Sequence, residues 1–227
     1  EYFNSHGCKA EYIGNTLADA VAAYNPKERA AFLKENDIGD KPIVALLAGS
    51  RTTEIDNCLI SMINACKGLE QYELVLAGAP SISAEYYQKY IRGTGIRMVY
   101  NKTYDLLSHS YAAVVVSGTA TLETALFKVP EVVFYRVNNL TYLIGRPFVH
   151  IKFFSLVNII MDKEIVKEYL QFNLSIKIRK ELERLLSDNI YRNHMIENFN
   201  HLAEKIGKPG VSDRAAKSIV NFLNQNE

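Results

Sequence analysis

Two short stretches hold the residues best suited to chemistry. Ser117-Gly118-Thr119-Ala120-Thr121 interrupts an apolar run with hydroxyls and a glycine. Ala112–Val116 before it reads as a strand buried on both faces, and Leu122, Ala125 and Leu126 after it fall at helix spacing. A strand, a tight small-residue loop and a helix, with Thr119 or Thr121 as N-cap, present free N–H groups and a positive helix end to one point. That arrangement suits a phosphate. Glu123 reads as lying in the first turn. It either accepts from a sugar hydroxyl pair or complements the helix dipole. The second stretch is Gly49-Ser50-Arg51-Thr52-Thr53-Glu54, directly after the apolar Pro42–Ala48. Arg51 there either grips a phosphate or pairs with Glu54 or another surface acid. Farther on, Asn158 sits inside the apolar Leu156–Ile160 and needs partners, from the backbone or from a ligand. Glu168 and Gln171 share a face if Glu164–Phe172 is helical, where they meet sugar hydroxyls or only water.

These residues need a frame. Further strands read at Glu73–Ala77, Ile96–Tyr100 and Val132–Arg136, with helices at Ile55–Leu69, Ser81–Ile91 and Tyr104–Ser110 between them. Pro42–Arg136 is therefore an alternating strand–helix series, which predicts an α/β fold with a Rossmann-like parallel sheet flanked by helices. Ligands bind such sheets at the carboxyl ends of the strands, where Arg51, Asn101 and Ser117–Glu123 fall. Amphipathic helices follow at Ile176–Leu186 and Ile190–Ile206. A last helix starts beyond Gly207-Lys208-Pro209-Gly210, capped by Ser212 or Asp213. The expected division is a connecting segment at 1–25, the sheet domain at 26–208 and a carboxyl-terminal helix at 209–227, packed on another domain or on a second subunit.

The 227 residues are 48% hydrophobic and 22% charged with net charge +1, which disfavours a nucleic-acid partner. No apolar run approaches the ~18 residues of a membrane span. Cys8, Cys58 and Cys66 are too few for a disulfide framework, which points to a reducing cytoplasmic setting. G-x-G-x-x-G, P-loop and G-x-S-x-G patterns are absent, and the histidines lack metal spacing, so no metal or cofactor is expected. Val137–Phe154 interleaves Leu140, Tyr142, Ile144, Phe148 and Phe153 with Arg146, His150 and Lys152. It reads as a contact with an anionic membrane surface or with a partner domain or subunit. The chain opens on Glu1-Tyr2-Phe3 without an initiator Met and reads as part of a longer protein.

Six pieces in order resemble the lipid-A-disaccharide synthases. They are Gly14–Ala20, Leu46–Ile55, Ser117–Glu123, Val132–Arg136, Leu156–Ile160 and Glu168–Gln171. Asn15 and Ala48 depart from the family pattern, which has His and Pro there. The resemblance implies a GT-B glycosyltransferase of which this chain is the carboxyl-terminal, nucleotide-sugar half. The acceptor pocket and the general base then belong to an amino-terminal half. It implies transfer of 2,3-diacylglucosamine from UDP to 2,3-diacylglucosamine 1-phosphate, with inversion, release of UDP and no metal in the chemistry. It further implies a cytoplasmic enzyme, peripheral on the inner membrane of a Gram-negative bacterium, possible as a homodimer. In that scheme Gly49, Ser50, Arg51 and the loop Ser117, Gly118, Thr119, Ala120 and Thr121 hold the diphosphate. Glu123 holds the ribose, the backbone near Asn101 reads uracil, and Asn158, Glu168 and Gln171 hold the donor sugar or its phosphates. A UDP-sugar 2-epimerase of the same architecture and a non-catalytic nucleotide-binding module are the alternatives.

Overall fold

The computed structural model describes residues 2–8, 10–138, 142–143 and 151–224. Among them, strands β1 (Ile43–Leu47), β2 (Glu73–Gly78), β3 (Arg97–Tyr100), β4 (Ser110–Val116), β5 (Glu131–Tyr135) and β6 (Glu168–Leu170) form a parallel sheet in the order β3-β2-β1-β4-β5-β6. That is the Rossmann order. The chain steps outward from β1 to β3, then crosses back to β4 on the other side of β1. The order therefore reverses between β1 and β4. β1 is buried along its whole length, and Ala112–Val116 of β4 is buried as well, as their unbroken apolar sequences require.

The helices, in chain order, are α1 (Tyr2–Ser5), α2 (Thr16–Ala23), α3 (Arg29–Glu35), α4 (Thr52–Cys66), α5 (Ala84–Ile91), α6 (Thr103–Ser108), α7 (Thr119–Leu126), α8 (Leu156–Met161), α9 (Leu174–Ser187), α10 (Asn189–Ile206) and α11 (Val211–Asn224). On one face of the sheet α9 packs against α4 and along β4, β5 and β6. One core cluster runs from Phe32 and Leu33 through Ala45 and Leu47 to Leu106, Leu107, Ala113 and Val115. The chain forms two compact units, one of Asn25–Leu202 and one of Glu1–Tyr24 with Ala203–Glu227. In the smaller unit Asn15 Oδ1 accepts from the Leu17 amide and caps α2. Among the described residues no helix is long and apolar enough to cross a membrane.

Three local expectations change. Glu164–Phe172 is not a helix: Glu168–Leu170 is the edge strand β6, and Gln171 leaves it in the left-handed region at φ 65°. A three-residue edge strand carries too short a pattern to separate the two periods. The helix after β4 starts at Thr119 with Gly118 as N-cap, so neither Thr119 nor Thr121 caps it and Glu123 lies beyond its first turn. Ser212 and Asp213 are likewise inside α11, whose entering amides are held from a distance by Asp19. Of the basic and aromatic stretch, Leu140, Ile144, Arg146, Phe148 and His150 lie outside the described residues.

Candidate functional site

β1 and β4 are parallel neighbours with Leu47 opposite Val115. The loops that follow them therefore leave the same edge of the sheet about 4.8 Å apart. This is the switch point, where open α/β sheets take their ligands.

The loop after β4 is tightly determined. The Ser117 amide donates to Phe134 O (2.9 Å) and its hydroxyl to Phe154 O (2.9 Å). Thr121 turns both its amide (3.3 Å) and its hydroxyl (2.9 Å) onto Gly118 O. These bonds leave the amides of Gly118, Thr119 and Ala120 at the open end of α7, where helix geometry supplies no acceptor. Among the described residues no side chain caps them. A Cβ added at Gly118 would meet nothing within 4 Å among the described residues.

The loop after β1 is closed by its own carboxylate. Glu54 Oε2 accepts from the amides of Ser50 (2.9 Å) and Arg51 (3.3 Å). Gly49 adopts φ +95°, and a Cβ there would lie 2.3 Å from Glu54 Oε2. Both readings of Arg51 survive this geometry. Its guanidinium stands 3.4 Å from Glu54 Oε1, yet its side chain is 77% exposed. An exposed pair of that kind contributes little and is easily exchanged. Burial holds the Tyr135 phenol above its ordinary range; Glu54 and Cys58 push the same way and Arg51 pulls it down. Arg51 therefore lies within electrostatic reach of the end of β5, across the end of β4.

Glu123 Oε1 accepts from the Tyr104 hydroxyl at 2.9 Å. Burial and Glu123 push that phenol up to about 12, so it remains a donor. Tyr104 is the second residue of α6, just beyond Asn101, which is exposed at φ 55° with its amide on Gly78 O (3.4 Å). The Tyr104 bond thus ties α6 to α7. Sequence reasoning missed Tyr104, since no spacing rule links it to a residue on another helix.

Asn158 is fully buried and its amide is committed inside the chain. Oδ1 accepts from Ile165 N (2.7 Å) and Val166 N (3.1 Å), and Nδ2 donates to Val166 O and Glu168 Oε1 (both 2.8 Å). Glu168 also accepts from Phe154 N and Ser155 N, both at 2.9 Å. Of the two partner classes expected for Asn158, the protein supplies backbone and a carboxylate. The pair braces the segment whose carbonyl, Phe154 O, receives the Ser117 hydroxyl. Gln171 brackets Val137, accepting from its amide (3.2 Å) and donating to its carbonyl (3.0 Å). Glu168 and Gln171 act on different segments and do not share a helix face. Among the described residues no group of three or more His, Cys, Asp or Glu could hold a metal ion.

A family model described as lipid-A-disaccharide synthetase matches residues 1–217. The chain belongs to that family. It is 32% identical to the lipid-A-disaccharide synthase of Myxococcus xanthus over 231 residues, and 32% identical to that of Syntrophus aciditrophicus over 236 residues. These alignments cover 98% and 99% of this chain, but 60% and 61% of the relatives. The chain thus spans about three fifths of the length of the curated lipid-A-disaccharide synthases it matches.

Solved structures share the fold at low identity. An S. aureus MnaA–UDP co-structure superposes with a TM-score of 0.64 at 18% identity, covering 98% of this chain and 58% of that one. WaaG, a glycosyltransferase involved in lipopolysaccharide biosynthesis, gives 0.56 at 14% identity over 81% of this chain and 48% of its own. The chain therefore has the Rossmann-like α/β fold found in GT-B glycosyltransferases and 2-epimerases.

Proposed function

We propose that this chain is the donor-nucleotide half of a lipid-A-disaccharide synthase. It holds a UDP-activated, acylated glucosamine while the sugar passes, with inversion, to an acylated glucosamine 1-phosphate. One observation carries the reading: Arg51 and the uncapped amides of Gly118, Thr119 and Ala120 leave the same sheet edge at the switch point of a family member.

Glycosyl transfer passes through an oxocarbenium-like state while negative charge grows on the departing diphosphate. The three amides and the α7 dipole face that charge, and Arg51 exchanges Glu54 for it. Glu123, steadied by Tyr104, accepts from the ribose hydroxyls, and the turn at Asn101 borders the base. Asn158 and Glu168 serve the donor by fixing the Phe154–Ser155 segment under Ser117, while Gln171 sets the rim after β5. In this reading residues 26–208 form the nucleotide domain, 1–25 the connection to the acceptor half, and 209–227 a helix that packs on that half or on a second subunit. The inner-membrane surface supplies the acylated substrates.

Titration calorimetry of the chain with UDP tests the core of this. Binding is expected, and Glu123→Ala should weaken it by about 1.5–3 kcal/mol, the range for a lost hydrogen bond to a charged group. Unchanged affinity in that variant would sink the ribose assignment. Release of UDP by the full-length protein should require the acylated acceptor; release without it would favour the epimerase alternative.

A further inference from the structure

Among the described residues the cations at the carboxyl edge of the sheet are not equivalent. Lys102 is turned away, with Nζ 3.0 Å from Asn36 Oδ1 and 3.5 Å from Glu35 Oε2. Arg51 is shared with Glu54. Arg136 is the first residue beyond β5 and is half-buried. Among the described residues its guanidinium makes no ion pair and no hydrogen bond; its recorded bond is through its backbone carbonyl. A half-buried cation left without an anion is unfavourable, because it has lost part of its hydration and gained nothing in return.

The backbone on either side of that guanidinium is held firmly, and by atoms that do not involve its side chain. Cys58 Sγ donates to Arg136 O at 3.9 Å. Gln171 donates its amide to Tyr135 O (3.2 Å) and brackets Val137 with its side chain. β5 is the neighbour of β4, with Phe134 opposite Val116, and Phe134 O receives the Ser117 amide. Arg136 therefore stands two residues past the anchor of the amide loop, on the side opposite Arg51.

We propose that Arg136 is a second phosphate-binding residue, and that it takes the diphosphate from the β5 side as Arg51 does from the β1 side. The proposal rests on the nucleotide reading above. Arg51 must give up Glu54 to bind; Arg136 has nothing to give up. Arg136 is therefore the stronger of the two for a ligand that carries phosphate.

The test is binding to this chain of UDP and of uridine, a probe with the same base and sugar and no phosphate. Arg136→Gln should weaken UDP at least about tenfold, the effect of a lost charge-assisted bond, and leave uridine unchanged. Arg51→Gln should weaken UDP less. Arg136→Lys should restore part of the affinity, because the charge returns without the fork. The thermal midpoint should hold in both Arg136 variants, since the surrounding bonds use only backbone of that residue. Arg136→Gln binding UDP as tightly as the unchanged chain would overturn the proposal and leave the nucleotide reading standing. Equal weakening of UDP and uridine would also overturn it, since the loss would not be at phosphate. If the unchanged chain binds no UDP, the nucleotide reading fails and takes this proposal with it.

Discussion

At the amino end of α4, Glu54 Oε2 takes the amides of Ser50 and Arg51. At the amino end of α7, one strand away on the same sheet edge, no side chain among the described residues caps the amides. The two strand–loop–helix segments share a plan of buried strand, glycine-and-hydroxyl loop and helix, yet their helix ends are used differently. A capped end contributes roughly 1 kcal/mol to the fold. Leaving α7 uncapped forgoes that and keeps its partial positive charge for something else. Their glycines differ in the same sense. Gly49 is fixed by φ +95° and by Glu54 pressing against it, whereas Gly118 has an extended φ of 168° and open space around its missing Cβ. One glycine is demanded by the protein itself, the other by nothing among the described residues.

The largest effect should follow from Gly49→Ala. The substitution strains a left-handed backbone position and drives Glu54 off the amides it caps. Together these should cost about 2–4 kcal/mol in urea-induced unfolding. A loss under about 0.5 kcal/mol would show that Glu54 does not close this loop in solution, and the contrast with α7 would lose one of its sides.

Gly118→Ala should do the reverse. Any residue accepts an extended φ, and nothing stands in the way of the new methyl. Stability should therefore stay within about 0.5 kcal/mol, as for surface changes that touch nothing. The methyl intrudes where a phosphate would approach the amides, so UDP should bind about tenfold more weakly, or about 1.4 kcal/mol. If UDP affinity is unchanged, the open end of α7 is not the phosphate cradle.

The sheet was legible because its strands are buried on both faces. Ile43–Leu47 and Ala112–Val116 admit little else, and the short links between elements fix a parallel order. Loop positions follow from the strands, so the sequence pattern alone puts Arg51 and Ser117–Thr121 on one edge. What stayed hidden depends on pairs distant in sequence. Nothing local says that Tyr104 reaches Glu123, that Glu168 spans Phe154 and Asn158, or that Asp19 holds the start of α11. Asn158 illustrates the limit most clearly. Its burial was readable from Leu156–Ile160, but whether backbone or ligand would satisfy it was not. Arg136 was visible as a cation, but its lack of an acid could only be seen once the chain had folded.

Asp19 adds a third helix end to the comparison and the smallest expected effect. Its carboxylate accepts from the amides of Gly210 (2.5 Å), Val211 (3.0 Å) and Ser212 (2.9 Å) and from the Ser212 hydroxyl (2.9 Å). α11 is thus capped in trans, where Glu54 caps α4 from within. Bonds from Ser212 above all, then from Val211, hold Asp19 at about 2, against an ordinary 3.8. A carboxylate with a depressed value supports the folded state fully above its unfolded value and ceases to do so as pH falls through the folded one. Hydrogen exchange of the α11 amides should therefore accelerate between about pH 4 and pH 2, relative to β1 and β4. Asp19→Asn should show weakened protection already at neutral pH and lose the part of the acid response that belongs to this site. If wild type and Asp19→Asn lose protection in parallel across that range, α11 owes its start to its own sequence. The comparison of helix ends would then rest on α4 and α7 alone.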